Sequence, residues 1–206
     1  MLVVVGISYT FALRLIGTFW PDIFRNLLVA RVSLVLSFLA SLTLVLFFIY
    51  LREDYVREEQ KRLKLASVLV IIGSTAMVLL HVKGLLILFR VYISFYLVGF
   101  HHVEAVVPWV CSILILYFFI VIFKETLQDE RPKLKKAAMS AVMGSSVAAL
   151  IRTFILLYHF CSRDVVWFAD LPGRIGNVFV PISAVAFIAV LYFFSSFYKE
   201  QKCRHQ

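Results

Sequence analysis

The sequence predicts an all-α protein, a polytopic transmembrane helix bundle of six spans forming a single domain over residues 1–206. Three observations lead there. Hydrophobic residues make up 62% of the chain and charged residues 16%, against about 45–50% apolar and about 25% charged in a soluble domain. A core of this size cannot hide that excess, so lipid must solvate much of it. The apolar residues also come in runs of roughly 20, the length that crosses a hydrocarbon layer of about 30 Å. Finally, the charges collect between the runs.

The first expected span, 2–20, carries Arg14 within it. It lacks a basic leader and a small-residue cleavage site, so it reads as a retained helix rather than a signal peptide. The spans 28–51, 65–89, 105–123, 137–160 and 177–198 follow. Residues 52–64 hold nine charges, and 124–136 read KETLQDERPKLKK; neither suits lipid, and both are expected as loops. Residues 161–176 contain Asp164, Asp170, Pro172 and Gly173, which suit a third. The stretch 65–100 is apolar for too long, since as one helix it would measure about 53 Å.

Breaking that stretch at Lys83-Gly84 would give seven spans, and the basic residues decide against it. Arg52, Arg57, Lys61, Arg62 and Lys64 lie in one charged segment, and Lys124, Arg131, Lys133, Lys135 and Lys136 in the next. The tail adds Lys199, Lys202 and Arg204, whereas the opposite connections hold only Arg25, Arg163 and Arg174. Thirteen against three is the bias that marks cytoplasmic segments. Six spans put all three rich segments on one side, with both termini cytoplasmic. Residues 90–104 then fall at the outer interface, as a helix extension or a re-entrant piece. The same clustering turns a net charge of +9 away from nucleic acid.

A shift of 71 residues aligns 41–85 with 112–156 without a gap, with roughly a quarter of positions identical. Phe47-Phe48-Ile49 falls on Phe118-Phe119-Ile120 and Gly73-Ser74 on Gly144-Ser145. A further copy of one part is Leu191-Tyr192-Phe193-Phe194, matching Leu116-Tyr117-Phe118-Phe119. Duplicated helix pairs explain this, and so does an aromatic belt at the inner interface. Three helix pairs are also the plan of mitochondrial carriers, but their Pro-x-acid-x-x-base signature is absent. Small residues recur every fourth position at Ser33, Ser37, Ser41 and at Ala137, Ala141, Ser145, Ala149. Such stripes let helix backbones approach closely, within one bundle or between two copies.

The residues that could carry chemistry are basic. Arg14, Arg31, Arg90 and Arg152 fall in the outer half of their spans, where burial costs about 2.5–3.5 kcal/mol unless each meets protein, water or headgroups. Snorkelling to outer phosphates is one outcome. The other is a convergent site for an anionic ligand or lipid headgroup, with Glu104 as counter-charge, because the guanidinium fork matches phosphate and carboxylate. No acidic residue lies within a span, which argues against a proton- or cation-coupled relay. His81, His101, His102 and His159 fall on the outer side. A facing pair could ligate haem, yet nothing requires a cofactor, and none is expected. HExxH, GxSxG and P-loop patterns are missing, so no enzyme is expected. Cys111, Cys161 and Cys203 make no metal or disulfide framework.

One segment resembles a known family. Arg90 and Tyr92, then Gly99, then His102 and Glu104 follow in the order seen in the fungal lipid-translocating exporters. The resemblance covers about 20 residues and implies a helical membrane protein of the seven-helix kind associated with resistance to membrane-active toxins. The chain departs from the pattern at Ile93, Ser94, Phe95, Pro108 and Cys111.

The leading expectation is therefore transport or handling of an anionic or lipid ligand at a basic outer pocket. A non-catalytic subunit or sensor, acting through a membrane-protein partner or a homodimer, is the second. A haem-b electron-transfer subunit is the third. The topology is directly testable: cysteines introduced at positions 57 and 129 should label from the same side of sealed vesicles. Labelling from opposite sides would remove the six-span arrangement.

Overall fold

A computed structural model describes residues 27–54, 60–88, 100–128, 132–161, 182 and 185–199. Four helices in it are long and apolar enough to cross a membrane: α1 Leu27–Asp54, α2 Lys61–Leu88, α3 Phe100–Gln128 and α4 Pro132–Cys161. A shorter apolar helix, α5 Val185–Lys199, lies within the expected sixth span and runs one residue past its end. The first expected span, 2–20, lies outside the described residues, as do residues 177–181.

Two expectations need correcting. The charged segments 52–64 and 124–136 are not loops throughout. Helix α1 continues to Asp54, α2 begins at Lys61, α3 runs to Gln128 and α4 begins at Pro132. Glu, Lys, Arg and Gln are strong helix formers, and proline at a first helical position loses nothing because its missing N–H has no partner there anyway. Helix α3 also starts five residues before the expected span, so residues 100–104 are a helix extension. Its Pro108, two turns in, leaves the Glu104 carbonyl without its helical amide partner, a cost that membrane-spanning helices tolerate. Helix α2 passes through Lys83-Gly84 unbroken, in keeping with a single span there.

Consecutive helices pack side by side and antiparallel. Ser41 of α1 bonds His81 of α2, Lys83 of α2 meets Glu104 of α3, and Trp109 of α3 reaches Thr153 of α4. At the other end of α2, Gln60 donates to Glu125 of α3 at 3.4 Å. The hydroxyl of Ser140 on α4 donates to the Ala189 carbonyl of α5 at 3.2 Å. Helices α1, α3 and α5 thus run toward the charged segments, and α2 and α4 run away from them.

The core is concentrated near the charged end, and phenylalanine dominates it. Phe48, Phe118, Phe119 and Phe193 are completely buried, and Phe194 nearly so. These rings do not form an interfacial belt; they point inward and meet in a closed circuit. Phe48 of α1 packs edge-on against Phe118 of α3 at 4.9 Å, and Phe119 of α3 against Phe193 of α5 at 5.1 Å. Phe194 of α5 returns to Phe47 of α1 at 4.8 Å. Within each helix the two rings also touch, at 5.4, 5.5 and 5.8 Å. Each such pair contributes about 0.5–1.5 kcal/mol beyond area burial.

Layers of corresponding residues flank the circuit. Leu44, Ile115 and Val190 pack on it from one side, and Leu51, Ile122 and Phe197 are buried on the other. The alternating helices repeat the pattern, with Leu63, Ala66 and Val70 of α2 buried as are Leu134, Ala137 and Ala141 of α4. The α4 stripe of Ala137, Ala141, Ser145 and Ala149 is wholly interior, whereas Ser33, Ser37 and Ser41 on α1 are half-buried. Outward-facing Leu46, Ile72, Leu79, Met143 and Leu150 leave an apolar exterior suited to lipid.

Glycine sets the closest approaches. A Cβ on Gly144 would overlap the Ala186 carbonyl of α5 and come within 3.0 Å of Ala189 Cβ. A Cβ on Gly73 would meet the end of the Leu114 side chain at 2.9 Å, and one on Gly84 only Leu34 methyls at 3.4 Å. Backbone cannot yield as a leucine tip can. Gly144→Ala should therefore destabilise the protein by about 1–3 kcal/mol. Gly84→Ala should be neutral or add up to about 1 kcal/mol through helix propensity. Melting curves in detergent decide this, and equal effects at the two positions would contradict the packing.

Candidate functional site

Above the layer of Leu44, Ile115 and Val190, away from the charged end, the five helices line an open cavity of about 290 Å³. Its polar wall comes from corresponding positions in successive helices: Ser41 and Ser112 on α1 and α3, Ser74 and Ser145 on α2 and α4. Met77, Phe187 and the three floor residues are apolar. Arg152 of α4 is the charged residue among the described lining. Buried Cys111 also lines it, beside the Ser74 hydroxyl.

Helix geometry explains the serines. A serine inside an apolar helix satisfies itself by donating to a carbonyl one turn back. Ser41 does so to Ser37, Ser145 to Ala141, and Ser112 to Trp109, at 2.9, 2.7 and 2.7 Å. Ser74 does not. Its hydroxyl is completely shut from solvent and makes no hydrogen bond of normal geometry, with only the Cys111 thiol as a weak neighbour.

The expected site residues fare differently. Arg152 reaches the cavity; Arg31 is half-buried on α1 and does not line it. Arg14 and Arg90 lie outside the described residues, and so does their convergence with Arg152. Glu104 is engaged by Lys83 of α2 at 2.6 Å in a largely exposed pair, of the kind that contributes little to stability. Of the exporter-like residues, His102 and Glu104 stand on the first turns of α3, and Arg90, Tyr92 and Gly99 lie outside the described residues.

His81, His102 and His159 are occupied by protein contacts. His81 Nδ1 lies 2.9 Å from the Met77 carbonyl, which can only accept, so Nδ1 carries the proton. It also lies 3.2 Å from the Ser41 hydroxyl, placing His81 directly behind the cavity wall. His102 stacks on Phe160 and meets His159 edge-on at 5.7 Å. Rings already touching edge to face leave no gap for a porphyrin between them, so this pair does not fit a bis-imidazole haem. No group of three His, Cys, Asp or Glu that could hold a metal occurs among the described residues.

The four cavity serines were not singled out from sequence as a site; Ser41 and Ser145 read there as packing residues and Ser74 only as part of the repeat. The signal was present, because the 71-residue shift superposes Ser41 on Ser112 and Ser74 on Ser145. Comparison with family models, curated proteins and solved structures gives no match to this chain.

A buried hydroxyl without a partner costs about 1–3 kcal/mol. Ser74→Ala should accordingly leave the ligand-free protein as stable as before or up to about 1 kcal/mol more stable. Trp109→Phe, which removes the 2.9 Å bond from the indole N–H to Thr153, should cost about 1 kcal/mol. Thermal melts of the two variants check the contrast.

Proposed function

We propose that this integral membrane protein is a non-catalytic ligand-handling protein that binds an anionic group in the cavity beside Arg152. One observation carries the reading. Arg152, whose guanidinium costs about 2.5–3.5 kcal/mol to place within the membrane, reaches a cavity whose wall also carries four serines. Such a group attracts a negative charge, and its planar fork matches an oxyanion.

The proposal includes the architecture. The circuit of Phe pairs links the second ring of each helix to the first ring of the next, α1 to α3 to α5 and back. Gly73 of α2 approaches Cys111 and Leu114 of α3 as Gly144 of α4 approaches Ala186 and Ala189 of α5. Three like helix pairs around a common axis account for both facts. The sixth span needed to complete them is 2–20, which gives six spans and both termini on the cytoplasmic side. The cavity then opens away from the cytoplasm, and the aromatic circuit separates it from the cytoplasmic end. Passage of a ligand across the membrane would require those rings to part.

The test is binding by the purified protein. Titration calorimetry with acetate, benzoate, inorganic phosphate and phosphatidylglycerol should find at least one anion that binds. Arg152→Gln should weaken it 10–100-fold, as loss of a charge-assisted bond of about 1.5–3 kcal/mol implies. Lys199→Gln, exposed at the far end of α5, should change it less than twofold. Equal losses, or no binding by any anion, would remove the site.

A further inference from the structure

Resting on the arrangement of three helix pairs, we infer that residues 2–20 dock as a helix in the groove between α5 and α1, with Gly6 against Ala40 and with Arg14 brought to the cavity beside Phe187. The occupant of that groove is then a segment of this chain, not lipid and not a second copy. A short pattern in three segments points there: glycine, a hydroxyl residue two positions on, then leucine or isoleucine followed directly by a basic residue. Gly73, Thr75, Leu80 and His81 make it on α2, and Gly144, Ser146, Ile151 and Arg152 on α4. Gly6, Ser8, Leu13 and Arg14 repeat it at the same spacing. Of the eight glycines in the chain, only these three have a hydroxyl residue two positions on.

The two described copies show what the pattern does. Gly73 lies against Cys111 and Leu114 of the helix that follows it, and Gly144 against Ala186 and Ala189 of the helix that follows it. On α1 the residues matching these are Ala40 and Thr43. Ala40 is buried as its counterparts are, 8% exposed against 6% for Cys111 and 6% for Ala186. The basic end of each copy turns to the preceding Phe-Phe helix. His81 meets Ser41 of α1, while Arg152 shares the cavity wall with Ser112 of α3 and its neighbour Thr153 accepts from Trp109. In a closed ring the helix preceding residues 2–20 is α5, whose residue matching Ser41 and Ser112 is Phe187. A guanidinium packs favourably on an aromatic face, so Phe187 suits Arg14.

Chain length fixes the same level independently. At 1.5 Å per residue, a helix ending at residue 20 rises about 21 Å above Gly6, and α1 descends about 20 Å from Leu27 to Ala40. Residues 21–26 join the two, a connection short enough to make them antiparallel neighbours. Gly6 and Ala40 therefore come level without adjustment.

The experiment uses cysteine pairs in the full chain, oxidised in isolated membranes, with the unused native cysteines replaced by alanine. Gly73→Cys with native Cys111 sets the scale, since a Cβ at position 73 lies 3.7 Å from the Cys111 sulfur. Gly6→Cys with Ala40→Cys should form an internal disulfide to a comparable extent, seen as joined peptides in a digest of the monomer. Val4→Cys with Ala40→Cys, about 200° round the helix from position 6, should not. Melting curves in detergent give a readout without thiols. Arg14→Gln and Phe187→Leu remove the same contact, so each should lower the melting temperature and the double variant should melt no lower than the poorer single one. No loss from either, or strictly additive losses, would overturn the placement of Arg14. A 6–40 disulfide that joins two chains, none where 73–111 forms, or equal yields from positions 4 and 6 would overturn the docking. Anion binding by Arg152→Gln is measured separately, so failure here is distinct from failure of that site.

Discussion

Inside a bilayer, bringing two apolar helices together gains little from the hydrophobic effect, because lipid tails solvate leucine as well as another leucine does. Association must come from contacts that lipid cannot imitate. Here those are edge-to-face aromatic contacts and close backbone approach. The six phenylalanines tie α1, α3 and α5 into one unit. The small residues of α2 and α4 then let those helices settle into the grooves between them. Everything else in the described bundle is arranged around that knot.

The site owes its position to the same constraint. Aromatic rings fill the axis near the charged end; one turn higher the corresponding residues shorten to leucine, isoleucine and valine, and a turn above that α1 and α3 shorten further to serine while α5 carries Phe187. Shrinking side chains on a fixed helix spacing leave an opening, and the opening falls where Arg152 can reach it. The aromatic core and the cavity are therefore two levels of one gradient in side-chain volume.

Much of this was legible in the sequence. Runs of apolar residues located four spans, and their bounds missed mainly at the charged ends, where hydropathy cannot see that Lys61 or Gln128 continues a helix. The Phe-Phe pairs were visible as a repeat, but composition alone could not tell an interfacial belt from an interior circuit. That distinction depends on which way a helix turns. Arg152 stands out in the sequence because arginine in a span is rare, whereas Ser41 and Ser145 read as packing residues because their spacing suits both roles. The pairing of Glu104 with Lys83 rests on the approach of α2 to α3, which no single-sequence pattern specifies.

The wall of the cavity breaks the likeness of its three sectors. Where α1 and α3 present Ser41 and Ser112, α5 presents Phe187. Were all three sectors alike, a small guest could sit in three rotational settings of equal energy, with its acid group averaged among them. A wall that is hydroxylic on two sides and aromatic on the third removes that degeneracy. A guest with distinct polar and greasy faces then has one preferred heading.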